Sequence, residues 1–113
     1  MSEEECIFCK IAKGEIGSET VYEDENVIAF RDLNPKMPVH VLVIPKEHYD
    51  NLSDDVPEAL IGQVFGAAAR VAKICGIDES GYRVVSNIGK DACQSVMHLH
   101  VHVIGGAPMG DDL

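Results

Sequence analysis

Apolar and polar residues alternate along several short stretches of the chain, and this period of two predicts β-strands. Two strands flank a polar turn at residues 23–26. A third, strongly β-prone run ends at Pro45, which cannot donate a hydrogen bond to a central ladder. A fourth strand and a histidine-rich fifth follow in the C-terminal half. We predict strands at residues 21–22, 27–30, 39–44, 82–86 and 96–104.

Helical spacing replaces this alternation in the middle of the chain. An apolar stripe predicts one long helix over residues 53–76, with Gly76 as its C-terminal stop. Asp55 and Glu58 have the spacing of a capping box near its start. A short helix is predicted at residues 6–13. Because the strands are mostly consecutive, the pattern predicts an α+β fold with a five-stranded antiparallel sheet, one long helix and a short N-terminal helix.

Composition narrows the class of protein. The chain has 113 residues, of which 46% are hydrophobic, and this length suits a single domain over residues 1–113. A net charge of −10 disfavours nucleic acid as a partner, because such binding depends on many contacts between basic residues and phosphates. We expect a cytoplasmic protein, since neither a secretory signal nor a membrane-spanning stretch is apparent. Its four cysteines are then expected to be thiols or metal ligands.

Three histidines dominate the candidate chemistry. His98, His100 and His102 alternate with apolar residues, so a strand would place their rings on one face about 6–7 Å apart. Two functions fit such a row. Two imidazoles could bind a zinc ion whose water attacks a substrate, or one ring nitrogen could itself attack an electrophile such as phosphorus. The outer rings would stand about 13 Å apart along the strand, so one ion cannot bind all three.

A second candidate is the Cys6-x-x-Cys9 motif. By itself this spacing is compatible with a redox pair, half of a zinc site or no function. A tetrahedral zinc site needs two more ligands, which His48 and one histidine of the row could provide. His40, at the start of the third strand, has by pattern alone the character of an ordinary strand-end histidine.

The sequence resembles the histidine-triad (HIT) family of nucleotide hydrolases and transferases. The strongest match is its signature of three histidines alternating with apolar residues, which residues 98–104 reproduce. Further matching blocks occur in the expected order, so the resemblance covers nearly the whole chain and is greatest to the Hint-like purine nucleoside phosphoramidases. These blocks are CIFCKI at 6–11, VYED at 21–24, AFRD at 29–32, VIPKEH at 43–48, GYRVV at 81–85 and GG at 105–106.

The resemblance implies a mechanism. His100 is expected to attack the α-phosphorus of a nucleoside 5′-phosphoramidate, forming a nucleotidyl-histidine that water hydrolyses to the nucleoside monophosphate. His102 is expected to bind phosphate oxygens, and His40 occupies the position of a supporting catalytic histidine. For attack, a backbone carbonyl accepting the other N–H of His100 would suffice to aim its lone pair. The alternatives are a dinucleoside polyphosphate hydrolase of the Fhit branch, a non-catalytic nucleotide-binding or interaction module, and a hydrolase with catalytic zinc.

The resemblance also implies binding residues. Asp32 is expected to bind the ribose, and Gln94 and Ser95 are expected to donate to phosphate. Cys93 stands beside this phosphate loop where Hint-like proteins usually carry glycine, and we count it among the expected nucleotide contacts. The remaining expected nucleotide contacts are Asn87 and the base-pocket residues Ile7, Phe8, Phe30 and Leu33.

Two further expectations come from the family. Its members with both N-terminal cysteines bind a structural zinc, which implies the ligands Cys6, Cys9, His48 and His98. A homodimer whose sheets join across the two-fold axis is also expected. The C-terminal segment lacks the arginine and the tryptophan of animal Hint proteins, which leaves the leaving-group preference open.

Overall fold

A computed structural model describes residues 5–111 of the chain. It contains two α-helices, one short 3₁₀ turn and five strands. These elements are α1 (Ile7–Ala12), β1 (Thr20–Glu23), β2 (Val27–Arg31), β3 (Val39–Pro45), α2 (Glu58–Ile74), β4 (Tyr82–Val85), the 3₁₀ turn (Lys90–Ala92) and β5 (Val101–Gly105). The strands form one antiparallel sheet in the order β1-β2-β3-β5-β4.

The sheet is buried on both faces at its centre. Apolar residues of β2, β3 and β5 pack against α2 on one face. The alternate residues of β2 and β3 pack against α1 on the other face. This two-sided burial explains why β3 has a nearly continuous apolar run instead of strict alternation.

The long helix is shorter at its start than predicted. It begins at Glu58 and not at residue 53, and its N-cap residue, Pro57, makes no side-chain cap hydrogen bond. The predicted capping box was wrong, because Asp55 adopts a left-handed conformation with φ 48° outside the helix. The predicted stop at Gly76 is confirmed by its φ of +72° and by the hydrogen bond of its N–H to the carbonyl of Lys73.

The histidine strand is also shorter than predicted. It begins at Val101 and not at residue 96, so of the three histidines only His102 lies in β5. The pairing with β3 stops where Val43 faces Val101, close to Pro45, which has no N–H to extend the ladder. His98 and His100 therefore occupy an irregular segment that other contacts hold. Within residues 5–111, no helix combines the length and the hydropathy needed to cross a bilayer.

Candidate active site and metal centre

His40 and His102 come together through the register of the central strands. His40 faces Ile104 and Leu42 faces His102 across the β3–β5 pair, so the two histidines are diagonal neighbours on one face of the sheet. Their ring centroids lie 5.2 Å apart. The same face of the sheet packs against α1.

The ring of His100 is buried and oriented by main chain. Its Nδ1 lies 2.8 Å from the carbonyl oxygen of His98, which can only accept, so Nδ1 carries the proton. Phe8 packs edge-on against the ring with centroids 5.3 Å apart. Every buried side-chain nitrogen among residues 5–111 has a hydrogen-bond partner. Since Nε2 of His100 makes no hydrogen bond, this atom is not buried, and its lone pair faces the cavity that His100 lines.

A chain of hydrogen bonds assigns the tautomers of the other two rings. The main-chain N–H of Lys36 donates to Nδ1 of His40 at 3.0 Å, which places the proton of that ring on Nε2. Nε2 of His40 in turn lies 2.9 Å from Nδ1 of His102 and donates to it. A neutral His102 must then carry its own proton on Nε2. The chain therefore ends in an N–H donor beside the nucleophile candidate, whose ring centroid is 5.1 Å away.

The surroundings keep these rings neutral. Burial lowers the pKa of His102 to about 4, and repulsion from His100 and His40 acts in the same direction. Burial also lowers the pKa of His40, although the nearby carboxylate of Asp32 opposes the shift. At neutral pH both imidazoles are uncharged and keep the hydrogen-bond chain intact.

Asp32, His40 and His102 form a second group of potential metal ligands, but their geometry suits a metal ion poorly. Asp32, His40 and His102 place three potential ligand atoms close together, and Oδ2 of Asp32 lies 3.4 Å from Nε2 of His40. A metal on Nε2 of His40 would move the ring proton to Nδ1, where it would meet the N–H of Lys36. The geometry favours a hydrogen-bonded chain over a catalytic zinc.

A cavity of about 300 Å³ opens beside His100 and His102, and we call it the nucleoside cavity after the ligand expected from the sequence. Its lining contains an apolar wall and a polar end, as a bound nucleotide would require. Leu33 projects from its rim and is 97% exposed. Of the residues expected to contact a nucleotide, it brings together Ile7, Phe8, Phe30, Asp32, Leu33, Ser95, His100 and His102.

A second cavity of about 500 Å³ also borders His102, and we call it the polar cavity. Asn87, another expected nucleotide contact, lines it together with Lys36 and His40. The two cavities share Asp32, Ser95 and His102. These shared residues mark the point where a substrate could pass from one cavity to the other.

Two of the residues expected in the phosphate loop, Cys93 and Gln94, line neither cavity. The side chain of Gln94 is buried, and its amide is engaged with main chain, donating to the carbonyls of Asp50 and Val96 and accepting from the N–H of Gly89. Gln94 thus shapes the loop, and its side chain has no donor left for phosphate. Cys93 is exposed and lines neither cavity.

Sequence reasoning missed several residues of the site. The apolar wall of the nucleoside cavity includes Ile11, Ile16, Leu42 and Val96, which have no motif of their own. The alternation of β3 could have identified Leu42, because it shares a face with His40. The hydrogen bond from the main-chain N–H of Lys36 to His40 could not be predicted from the sequence, since any non-proline residue supplies an N–H.

The four proposed metal ligands converge at the start of α1. Cys6 is the N-cap of this helix, and Cys9 follows one turn later. Nδ1 of His98 lies 3.3 Å from Sγ of Cys6 and 3.4 Å from Sγ of Cys9, whose sulfur is 3.1 Å from Nδ1 of His48. All four ligand atoms lie within 4.8 Å of one another. Tetrahedral zinc with sulfur and nitrogen ligands has edges of about 3.5 Å, so the cluster fits this ion.

The partners of the two imidazoles support the same conclusion. Nε2 of His48 lies 3.0 Å from the carboxylate of Asp50, and Nε2 of His98 lies 2.9 Å from the carbonyl of Pro45. Each ring therefore donates through Nε2 and presents the lone pair of Nδ1 to the thiols. Such outer hydrogen bonds are the usual support of histidine ligands to zinc.

Fold and site together define a class: an α+β protein with an open five-stranded antiparallel sheet and with His100 and His102 beside a cavity. The HIT domain model matches residues 13–109, and the chain belongs to this family. A HIT family hydrolase from Clostridium thermocellum shares 47% identity, covers 99% of both chains and superposes with a TM-score of 0.93. The predicted fold is confirmed, and hydrolase is the class of activity that the comparisons support.

Two curated relatives carry more specific names. The purine nucleoside phosphoramidase of Escherichia coli K12 is 41% identical over 95% of this chain and 92% of its own length. A 14 kDa zinc-binding protein of Zea mays is 49% identical over 91% of this chain and 83% of its own length.

Proposed function

We propose that the protein hydrolyses nucleoside 5′-phosphoramidates through a nucleotidyl-His100 intermediate. One observation carries this proposal: the carbonyl of His98 accepts from Nδ1 of His100, so the lone pair of Nε2 is directed into the nucleoside cavity. The phosphoramidase named among the relatives supports the substrate class. A neutral imidazole with a fixed tautomer is a competent nucleophile toward phosphorus.

In the first step Nε2 of His100 attacks the α-phosphorus, an N–P bond to the ring forms, and the P–N bond to the amine breaks. The departing nitrogen takes up a proton from solvent and leaves as the neutral amine. Nδ1 keeps its proton on the carbonyl of His98, so the nucleotidylated ring is cationic. This positive charge makes the ring a good leaving group for the step that follows.

In the second step water attacks the phosphorus, the bond to His100 breaks and its electron pair returns to Nε2. The water loses one proton, which balances the proton taken up in the first step. Throughout, the Nε2–H of His102 donates to the phosphoryl oxygens, and Ser95 adds polar atoms at the same point. Stabilising these oxygens with fixed donors is the main means of catalysing phosphoryl transfer.

The lining of the nucleoside cavity supports a nucleotide as the substrate. Ile7, Phe8, Phe30 and Leu33 supply an apolar slot for a flat base, while the carboxylate of Asp32 lies at the polar end and can accept from ribose hydroxyls. The apolar walls recognise a base by its faces and not by its hydrogen-bonding edge. We therefore propose that adenosine and guanosine derivatives are both substrates.

We also propose that Cys6, Cys9, His48 and His98 bind a structural zinc ion, on the evidence of their edge lengths and of the hydrogen bonds that orient both rings. Four protein ligands leave no open position, so this zinc stabilises the fold and does not activate water.

A homodimer remains part of the proposal. β4 is an edge strand of the sheet, and Tyr82 at its start is 36% exposed. A second copy pairing along β4 would satisfy the free edge and join the two sheets. Light scattering on the purified protein tests this expectation, and a monomeric mass would contradict it.

The stereochemistry at phosphorus tests the mechanism. Two successive in-line displacements retain configuration, so an adenosine 5′-phosphoramidate made chiral with one sulfur should give a product of retained configuration in ¹⁸O-labelled water. A single attack by water, including metal-bound water, would invert it. The His100→Asn variant should lose hydrolysis but retain AMP binding, because the amide leaves the cavity walls in place.

Two results would contradict the proposal. Inversion would exclude the covalent intermediate, and normal rates for His100→Asn would exclude His100 as the nucleophile. Comparing kcat/KM for an AMP phosphoramidate and for diadenosine polyphosphates separates the two enzyme classes that use this site. Binding of AMP without turnover of either substrate would favour a non-catalytic nucleotide-binding protein.

A further inference from the structure

The polar cavity has no occupant in the mechanism above, yet it adjoins the reacting phosphorus. It shares Asp32, Ser95 and His102 with the nucleoside cavity. His100 lines the nucleoside cavity but not the polar cavity. An in-line displacement expels the leaving group on the side of the phosphorus opposite the attacking atom. Because His100 borders the nucleoside cavity and not the polar cavity, the polar cavity is available to receive a leaving group expelled away from His100.

The lining of this cavity contains one cation and one anion. The anion is Asp32, which the nucleoside cavity shares, and the cation is Lys36, which lines the polar cavity beside the neutral amides of Asn34 and Asn87. No ion pair joins the ammonium of Lys36 to any acid in the part of the chain that the structure describes. The ammonium nevertheless acts on the site, because its charge lowers the pKa of His40. A cation without a partner at this place, in a chain of net charge −10, is positioned for an anionic ligand group.

We propose that the polar cavity is the leaving-group subsite and that Lys36 selects leaving groups carrying an anionic group, in the first place amines that bear a carboxylate. This inference rests on the proposed function. A volume of about 500 Å³ accommodates an amino acid in addition to the phosphate. The two asparagine amides can donate to the same carboxylate, while Lys36 supplies the charge.

Matched substrates test the inference. AMP is joined through a P–N bond to an ω-amino acid with a free carboxylate, and in the second compound the same acid is a methyl ester. Wild-type protein should show kcat/KM about 3- to 10-fold higher for the free carboxylate, the range expected for a partly solvated ion pair. The preference should shrink as the salt concentration rises.

Variants of Lys36 connect this preference to the residue. Lys36→Met should abolish it, Lys36→Glu should reverse it, and Lys36→Arg should retain it. Lys90→Met is the matched control, because Lys90 lies in the 3₁₀ turn and lines neither cavity. Diadenosine polyphosphates, whose leaving group is a phosphate, form a second arm that shows whether the subsite accepts anions in general or carboxylates in particular.

Several outcomes would overturn the inference. Equal rates for the acid and its ester in the wild type would exclude selection by charge. An equal loss on both compounds in Lys36→Met would mean that the ammonium acts on the nucleotide phosphate. Both results leave the proposed function intact. If the wild type cleaves neither compound, the proposed function is overturned, and this inference fails with it.

Discussion

The main-chain carbonyl of His98 accepts the Nδ1–H of His100 at 2.8 Å. The tautomer of the proposed nucleophile is therefore fixed by a residue whose ring lies in the proposed zinc site. No strand pairing holds this segment, because β5 begins only at Val101. Three groups anchor it: the ring of His98, the N–H of Leu99, which donates to the carbonyl of Tyr49, and the carbonyl of His100, which accepts from the hydroxyl of Ser86. The proposed metal site and the proposed nucleophilic nitrogen are therefore mechanically linked.

Removing a metal ligand should affect both stability and catalysis. Cys6→Ser should lower the free energy of unfolding by more than about 3 kcal/mol, because a buried zinc site would be lost. At a temperature where the variant stays folded, kcat should fall while the Kd for AMP changes little. Thermal denaturation, metal analysis and steady-state kinetics measure these effects.

Cys75→Ser provides the control for this prediction. Cys75 ends α2 on the other side of the sheet and is no part of the cluster, so this change should preserve zinc content and kcat. Wild-type protein purified without zinc, together with equal stability of both cysteine variants, would rule out the structural metal.

Replacing His40 should slow the reaction without weakening nucleotide binding. His40 donates to Nδ1 of His102 and thereby keeps the proton of His102 on the side of the phosphate. His40→Ala should lower kcat by about 10- to 100-fold, as is typical when the partner of a functional histidine is removed. His40→Gln, whose amide N–H can donate, should recover part of the loss. Equal kinetics for the two variants would contradict this role, because the amide N–H of glutamine would then restore nothing that alanine lacks.

The burial of His102 should make stability depend on pH in the acid range. Its folded-state pKa of about 4 lies below the ordinary value of 6.5, so the unfolded chain binds more protons between these values. Stability should therefore fall as the pH drops from 6.5 towards 4 and should be unaffected by this group above 6.5. Melting temperatures across this range should decline less steeply for His102→Gln than for the wild type. Parallel pH curves would contradict the neutral, buried state of His102.

Replacing Cys93 by glycine should stabilise the fold. Cys93 has a left-handed backbone with φ 61° and ψ 40°, which a side chain disfavours and glycine adopts freely. Cys93→Gly should raise the free energy of unfolding by about 0.5–1 kcal/mol, as measured by chemical denaturation. Ala92→Gly, one residue earlier and inside the 3₁₀ turn, should not stabilise. Because the thiol lines neither cavity, turnover should be unchanged in Cys93→Gly.

Local pattern identified most of the fold. The β-prone run of β3 and the stripe of α2 reappear in the structure, because both elements bury apolar residues at a fixed period. The errors lie where contacts between residues distant in sequence determine the ends of an element. The strand predicted from residue 96 begins at Val101, since the irregular segment is tied to the chain after β3 and not to a neighbouring strand. Asp55 has capping-box spacing, but its backbone turns away before the helix starts.

The sequence alone determined the class of the sheet, the candidate histidines and cysteines, and the kind of chemistry they can perform, because side-chain type and periodicity are local properties. Only the tertiary structure decided which nitrogen of each ring carries the proton. The carbonyl of His98 and the N–H of Lys36 make those assignments, and main-chain groups are the same in every residue except proline. Their direction depends on how the chain is folded around them, which no residue pattern records.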